Sequence, residues 1–299
     1  MKCIRIGTRG SPLALIQTQE VMDKLLTFYP FLKGKLEVVP IKTTGDVIVD
    51  RSLIDLGGKS LFTKEIEQAL LNRNIDMAVH SMKDVTVEIP KGLIIPVILE
   101  REDPRDALIS RDNLRFDELP KGTLFGTSSL RRQAYVLQRF PHFQVTSLRG
   151  NVSTRIAKIE AGKIDAALFA VAGLKRQGLL EKITQILPLK ECLPAVAQGA
   201  LGVQCRKEDH DLLEILHPLN HPPSFQAISC ERAFMKALHG SCRTPIAAHA
   251  ILKGESLYFK GMICEPDGNN MRFVSHKGLP SEAEKVGREA VTLLKESHV

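Results

Sequence analysis

Two seven-residue segments constrain this chain more than any other feature. Arg73-Asn74-Ile75-Asp76-Met77-Ala78-Val79 and Gly162-Lys163-Ile164-Asp165-Ala166-Ala167-Leu168 each follow a helical pattern and end where polar residues begin. Each contains a short apolar run of the kind a buried strand requires. An echo this short can arise by chance. With the strand–helix alternation around both copies, it points to two similar α/β lobes facing each other across a cleft. Ligands of such sheets bind beyond the carboxyl ends of the strands. There the first copy runs into His80-Ser81-Met82-Lys83-Asp84-Val85, whose one carboxylate is Asp84. Alone, that stretch reads more readily as a solvated loop with a Lys83–Asp84 neighbour pair.

The remaining pattern fits the same plan. A strand is expected over 2–7, then the turn Thr8-Arg9-Gly10-Ser11-Pro12, with Ser11 as N-cap and Pro12 as the first residue of a helix that stops by Pro30. A strand over 36–41 precedes a long polar stretch from Lys42 to Ser60, of a length usual for a lid or a disordered loop. A helix over 62–72 follows. The second half begins near Pro96, where Val97 to Asp106 reads as a crossover whose alternating charges pair with one another. Strands over 123–126 and 143–148 lead to helices carrying Arg131, Arg132 and Arg155, and Arg176 lies just beyond the strand that starts at Ile164. Residues 189–204 cross back to the first lobe. After Pro222-Pro223 come a helix over 224–238, a loop bearing Cys242, two or three strands and a final helix over 281–296. The domain division is 1–96 plus 195–219, 97–194, and a small α+β domain over 220–299.

Charge narrows the partner. The net charge is +7, yet there is no lysine block, no tryptophan and only three tyrosines, which argues against a nucleic-acid groove. Instead Arg9, Arg131, Arg132, Arg149, Arg155 and Arg176 stand at or near strand-to-helix junctions, where guanidinium forks suit carboxylates or phosphates. Neither G-x-x-x-x-G-K-[ST] nor G-x-G-x-x-G occurs, so no P-loop or dinucleotide fingerprint is present. The six cysteines are scattered without metal-like spacing, so no metal site is expected. Cys205 and Cys264 lie in apolar runs, whereas Cys242 sits among Gly240, Ser241 and Arg243, as an accessible thiolate would. No signal-peptide core or membrane-spanning run is found, and a cytoplasmic protein is expected.

Six motifs in order make a specific resemblance. They are Thr8-Arg9-Gly10-Ser11-Pro12-Leu13-Ala14, His80-Ser81-Met82-Lys83-Asp84-Val85, Arg101-Glu102-Asp103-Pro104-Arg105-Asp106, Gly126-Thr127-Ser128-Ser129-Leu130-Arg131-Arg132-Gln133, Leu148-Arg149-Gly150-Asn151-Val152 and Gln198-Gly199-Ala200-Leu201-Gly202. With the loop around Cys242 they span essentially the whole chain, which resembles the porphobilinogen deaminase (hydroxymethylbilane synthase) family.

The resemblance implies two periplasmic-binding-protein-like α/β lobes with a hinge and a cleft, plus the small C-terminal domain. It implies a dipyrromethane cofactor bonded through Cys242 as a thioether, to which porphobilinogen units are added in turn with loss of ammonia. Asp84 is then the catalytic carboxylate, set to stabilise the cation left when ammonia departs. Lys83, Ser129, Arg131, Arg132 and Arg155, with Asp84, are assigned to the cofactor. Arg9, Ser11, Arg149 and Arg176, with Thr127, Ser128, Gly150 and Asn151, are assigned to the substrate. Lys59 and Phe62 belong to a mobile loop. A monomer with no nucleic-acid or membrane partner is expected. The chain departs from the family pattern at Thr86, where proline is common, at Ser153, Ala197 and Ser241, where glycine is common, and at Gln204, where glutamate is common. A non-catalytic binding protein for a multiply anionic small molecule is the alternative, but it gives no reason for Cys242 or Asp84.

Overall fold

The computed structural model describes residues 3–47, 61–241 and 244–296. In chain order the first elements are β1 (Ile4–Arg9), α1 (Pro12–Phe28), β2 (Leu36–Ile41), α2 (Thr44–Val47), α3 (Lys64–Leu71), β3 (Met77–Ser81) and β4 (Leu93–Ile98). Then come β5 (Asp106–Ser110), β6 (Leu124–Gly126), α4 (Leu130–Arg139), β7 (Gln144–Thr146), α5 (Val152–Glu160), β8 (Ala166–Ala170), α6 (Val171–Arg176) and β9 (Gln185–Ile186). The last are β10 (Leu201–Arg206), α7 (His210–Leu216), α8 (Pro222–Ala237), β11 (Ile246–Lys253), β12 (Ser256–Ile263), β13 (Arg272–Gly278) and α9 (Ala283–Glu296).

The chain divides into two compact units, Met1–Arg101 with Ala200–Phe225, and Glu102–Gly199 with Gln226–Val299. The first holds a five-stranded sheet of order β2-β1-β3-β10-β4, and the second one of order β7-β6-β8-β5-β9. Their topologies coincide: three parallel strands, then one antiparallel strand and a further strand antiparallel to it. β10 enters the first sheet after the chain has built the second, as the expected return crossing requires. Helices cover both faces of each sheet, leaving one apolar cluster on each side. β3, β5, β8 and β10 are therefore buried almost throughout; β8 reads as a continuous apolar run, whereas β10 also buries Gln204 and Arg206 and β3 buries His80.

The sequence echo has a physical cause. Ile75 packs on Gly7 of β1 and Ile164 on Gly126 of β6, where an added Cβ would collide with each isoleucine. The following aspartates act alike: Asp76 Oδ2 accepts from Arg5 N at 2.9 Å and Asp165 Oδ2 from Leu124 N at 2.8 Å. Each carboxylate thus ties the start of the third parallel strand to the start of the first.

One expectation fails. Leu93–Ile98 is a strand of the first unit rather than the opening of a crossover, and β5 already begins at Asp106. Pro96 lies inside β4. Because β4 is an edge strand, proline's missing N–H is tolerated there. The third sheet, β11-β12-β13, is antiparallel and clusters with the second unit. Phe234 of α8 packs on Phe259 at 4.9 Å between centroids, and Gly278 leaves room for Val286 of α9.

Candidate active site

In the first unit the site residues gather at the carboxyl ends of β1 and β3. Ser11 caps α1, its Oγ accepting from Ala14 N at 3.3 Å. Arg9, the last residue of β1, donates through Nη2 to Asp46 Oδ1 at 2.5 Å, and its guanidinium lies 4.3 Å from the Phe62 ring centre. That combines an ion pair with a cation–π contact. Burial would raise the Asp46 carboxyl, but hydrogen bonds from Arg9 and Thr43 hold it below the usual carboxylate range. Phe62 fits because Gly45 has no Cβ to obstruct its ring.

β3 ends at Ser81, and Met82–Asp84 form a single 3-10 turn carrying Lys83 and Asp84. The Asp84 carboxylate lies 3.9 Å from Arg9 Nη1, within an ion pair but beyond hydrogen-bond length, and it is about one-third exposed. Behind this turn, His80 Nε2 meets Gln204 Oε1 at 3.0 Å, and Gln204 Nε2 donates to Glu67 Oε1 at 3.2 Å. Burial raises the Glu67 carboxyl above its ordinary value.

In the second unit the arrangement is built on Asp106. β5 runs antiparallel to β8, so its first residue, Asp106, pairs with the last of β8, Ala170, at the end of the sheet where α4 begins. Ser129 caps α4 and directs the consecutive Arg131 and Arg132 toward that point. Arg131 Nη1 and Arg132 Nη2 lie 2.7 and 2.8 Å from the two carboxylate oxygens, and Gln198 Nε2 donates to Oδ1 at 2.9 Å. Burial opposes ionisation of Asp106, but the two guanidinium groups overcome it and hold the carboxyl far below its usual range. Beside them, burial and then the Asp106 charge push the Cys192 thiol up to about 12.

Two guanidinium charges against one carboxylate leave an excess of one positive charge. The buried Nε atoms of Arg131 and Arg132 have no hydrogen-bond partner among the described residues. This donor set suits an added carboxylate. Arg155, in the first turns of α5, lies 4.9 Å over the Phe169 ring. Asn151 caps α5 by accepting from Thr154 N at 2.8 Å, and Gly150 adopts φ +113°, which favours glycine. Ser128 Oγ donates to Leu148 O at 3.1 Å, Thr127 Oγ1 accepts from Ser129 N at 3.1 Å, and Arg176 Nη1 donates to Gly199 O at 3.4 Å. Arg149 follows β7 in the loop that leads to α5.

Residues 4–214 match the family described as porphobilinogen deaminase, dipyromethane cofactor binding domain, and residues 225–296 match porphobilinogen deaminase, C-terminal domain. The chain belongs to the porphobilinogen deaminase family. It is 49% identical to the chloroplastic porphobilinogen deaminase of Oryza sativa subsp. japonica, over 92% of this chain and 78% of that one. It is 46% identical to the porphobilinogen deaminase of Nitrobacter winogradskyi, over 97% and 92% respectively. Among solved structures, the periplasmic VFT2 domain of Bordetella pertussis BvgS aligns with a TM-score of 0.42 at 15% identity, over 72% of this chain and 85% of that one.

Within this deaminase chain, the residues assigned from sequence fall into two groups. Arg9, Ser11, Phe62, Lys83 and Asp84 gather in the first unit, and Thr127, Ser128, Ser129, Arg131, Arg132, Arg149, Gly150, Asn151, Arg155 and Arg176 belong to the second. Lys59 and Cys242 lie outside the described residues. Asp84 is not the only carboxylate beside a site arginine, as its isolation in the sequence motif suggested. Asp46 takes Arg9, and Asp106 takes Arg131 and Arg132. Asp46 was hidden in a polar stretch that reads as loop. Asp106 was hidden among charges that read as paired locally, which holds for Asp103 and Arg105 at 2.6 Å but not for Asp106.

Proposed function

We propose that this chain condenses four porphobilinogen molecules head to tail into the linear tetrapyrrole hydroxymethylbilane, releasing ammonia at each addition. The observation that carries the reading is the Asp84 carboxylate at the end of β3. It is partly exposed, it has no hydrogen bond at 3.9 Å from Arg9, and Arg9 is turned onto Asp46. A carboxylate left with that acceptor capacity can take a pyrrole N–H, stabilise the cation formed when the substrate loses ammonia, and relay the proton.

Cys242 is the proposed covalent anchor, and Lys83, Asp84, Ser129, Arg131, Arg132 and Arg155 are the residues proposed to hold the dipyrromethane. The bound cofactor would supply the pyrrole carbon from which the chain is extended. The excess positive charge and unbonded Nε groups at Asp106 support this use of Arg131 and Arg132. Arg9, Ser11, Arg149 and Arg176 bind and orient the substrate's acetate and propionate, with Thr127, Ser128, Gly150 and Asn151 shaping the backbone around them. Lys59 and Phe62 form the closing loop.

We read the chain as three domains, 1–96 plus 195–219, 97–194 and 220–299, and as a cytoplasmic monomer. Among the described residues no helix is long and apolar enough to cross a membrane. The test is the intact mass of the purified protein beside Cys242→Ser, before and after incubation with porphobilinogen. The parent should carry an excess equal to one dipyrromethane and the variant none. A parent that gains no mass even after incubation would overturn the reading.

A further inference from the structure

We propose that the outward face of the C-terminal sheet is a second anion site, which takes a flat organic polycarboxylate. Alternate residues of this sheet face opposite ways. Leu257, Phe259 and Val274 are buried on the helix side. The register sets Ile251, Tyr258 and Lys277 in one row on the other side, with His249, Lys260 and Ser275 in the next. Together with Leu189, Lys190 and Leu193, this face lines an open cavity of about 570 Å³. That volume is in the range of small-molecule sites.

The lining is cationic and apolar at once. Lys190, Lys253, Lys260 and Lys277 border the cavity. Among the described residues, the side chains of Lys190, Lys253 and Lys260 make no ion pair or hydrogen bond. The Lys277 ammonium lies 5.1 Å from the Tyr258 ring centre. Against these cations stand Glu289, held by His276 at 3.0 Å, and Glu191, next to Lys190 in the chain. The floor offers Ile251 and Tyr258, 42% and 40% exposed.

Exposed lysines alone bind a small inorganic anion weakly, because solvent screens each pair. An apolar floor adds burial only for a ligand with an apolar body. Several lysines around one floor call for more than one anionic group on that body. A flat, multiply carboxylated ring system meets both conditions.

The probe is uroporphyrin I, a planar octacarboxylate whose own fluorescence anisotropy reports binding to the holoenzyme. Saturable binding is expected. In the triple variant Lys253→Glu/Lys260→Glu/Lys277→Glu it should weaken about tenfold or more, while porphobilinogen turnover stays within about twofold of the parent. Tyr258→Ala should also weaken the probe, and it decides the matter if the triple variant melts early. Replacing chloride by inorganic phosphate at equal ionic strength should leave the probe bound. Absence of saturable binding, unchanged affinity in the variants, or displacement of the probe by inorganic phosphate or porphobilinogen would each overturn the proposal.

Discussion

Asp106→Asn should destabilise the second unit far more than removal of any surface charge. Asp106 is fully buried and its two oxygens lie 2.7 and 2.8 Å from Arg131 and Arg132, which are themselves almost fully buried. Asparagine keeps the shape but leaves both guanidinium groups without a counterion. Breaking a buried ion pair in this way costs about 3–5 kcal/mol. For a unit of this size that corresponds to a fall in melting temperature of about 6–20 °C.

The control is Asp103→Asn, which removes the partner of the more exposed Arg105 at 2.6 Å and should cost about 0–1 kcal/mol. Thermal melts of parent, variant and control at neutral pH make the comparison. The pH dependence supplies a second check. The folded-state carboxyl of Asp106 is depressed below its unfolded value. Its contribution is therefore fully present above an unfolded pKa of about 4 and is lost as pH falls from there toward the folded value. The gap between parent and variant should be constant near neutrality and narrow on acidification below about pH 4. A drop of less than about 2 °C, or one no larger than that of the control, would refute the view that Asp106 is the counterion of this arginine pair.

Asp84→Ala should retain folding and cofactor attachment, read by melting and intact mass, yet abolish porphobilinogen turnover; near-normal turnover would remove Asp84 from the chemistry. Arg149→Gln should raise the KM for porphobilinogen more than it lowers cofactor content, and loss of cofactor instead would reverse the assignment. Ala197 is buried with φ +61°, its N–H donating to Glu231 Oε2 at 2.7 Å. The left-handed conformation costs a non-glycine residue about 1–2 kcal/mol. Glycine's greater freedom in the unfolded chain returns about 0.4–1 kcal/mol of that. Ala197→Gly should therefore raise the unfolding free energy by about 0–1.6 kcal/mol in denaturant melts, and a clear loss would show that the methyl group's packing outweighs the strain.

What the sequence reveals and what it hides follow from the range of the forces involved. The lobes are legible because their determinants are short-range and repeated. An isoleucine needs a glycine opposite it, an aspartate immediately before the strand ties down a neighbouring N–H, and Ser11, Ser129 and Asn151 each cap a helix beside a site arginine. Most proposed ligand residues are legible too, since they sit at the junctions these caps create. The internal counterions are not. Asp46 reaches Arg9 across 37 positions, and Asp106 reaches Arg131 and Arg132 across 25 and 26, each choice being made by strand order rather than by neighbours in the chain.

Yet Asp106 leaves a trace that local charge counting passes over. It is followed by Ala107-Leu108-Ile109, a run that must be buried. A carboxylate that is buried at the opening of such a strand must find a cation. The consecutive arginines after the Ser129 cap are the complementary anomaly, because two guanidinium groups at the start of a buried helix need an anion as much as the aspartate needs a cation. Reading the two together would pair them from the sequence. It would also leave one positive charge over, which is what a carboxylate ligand requires.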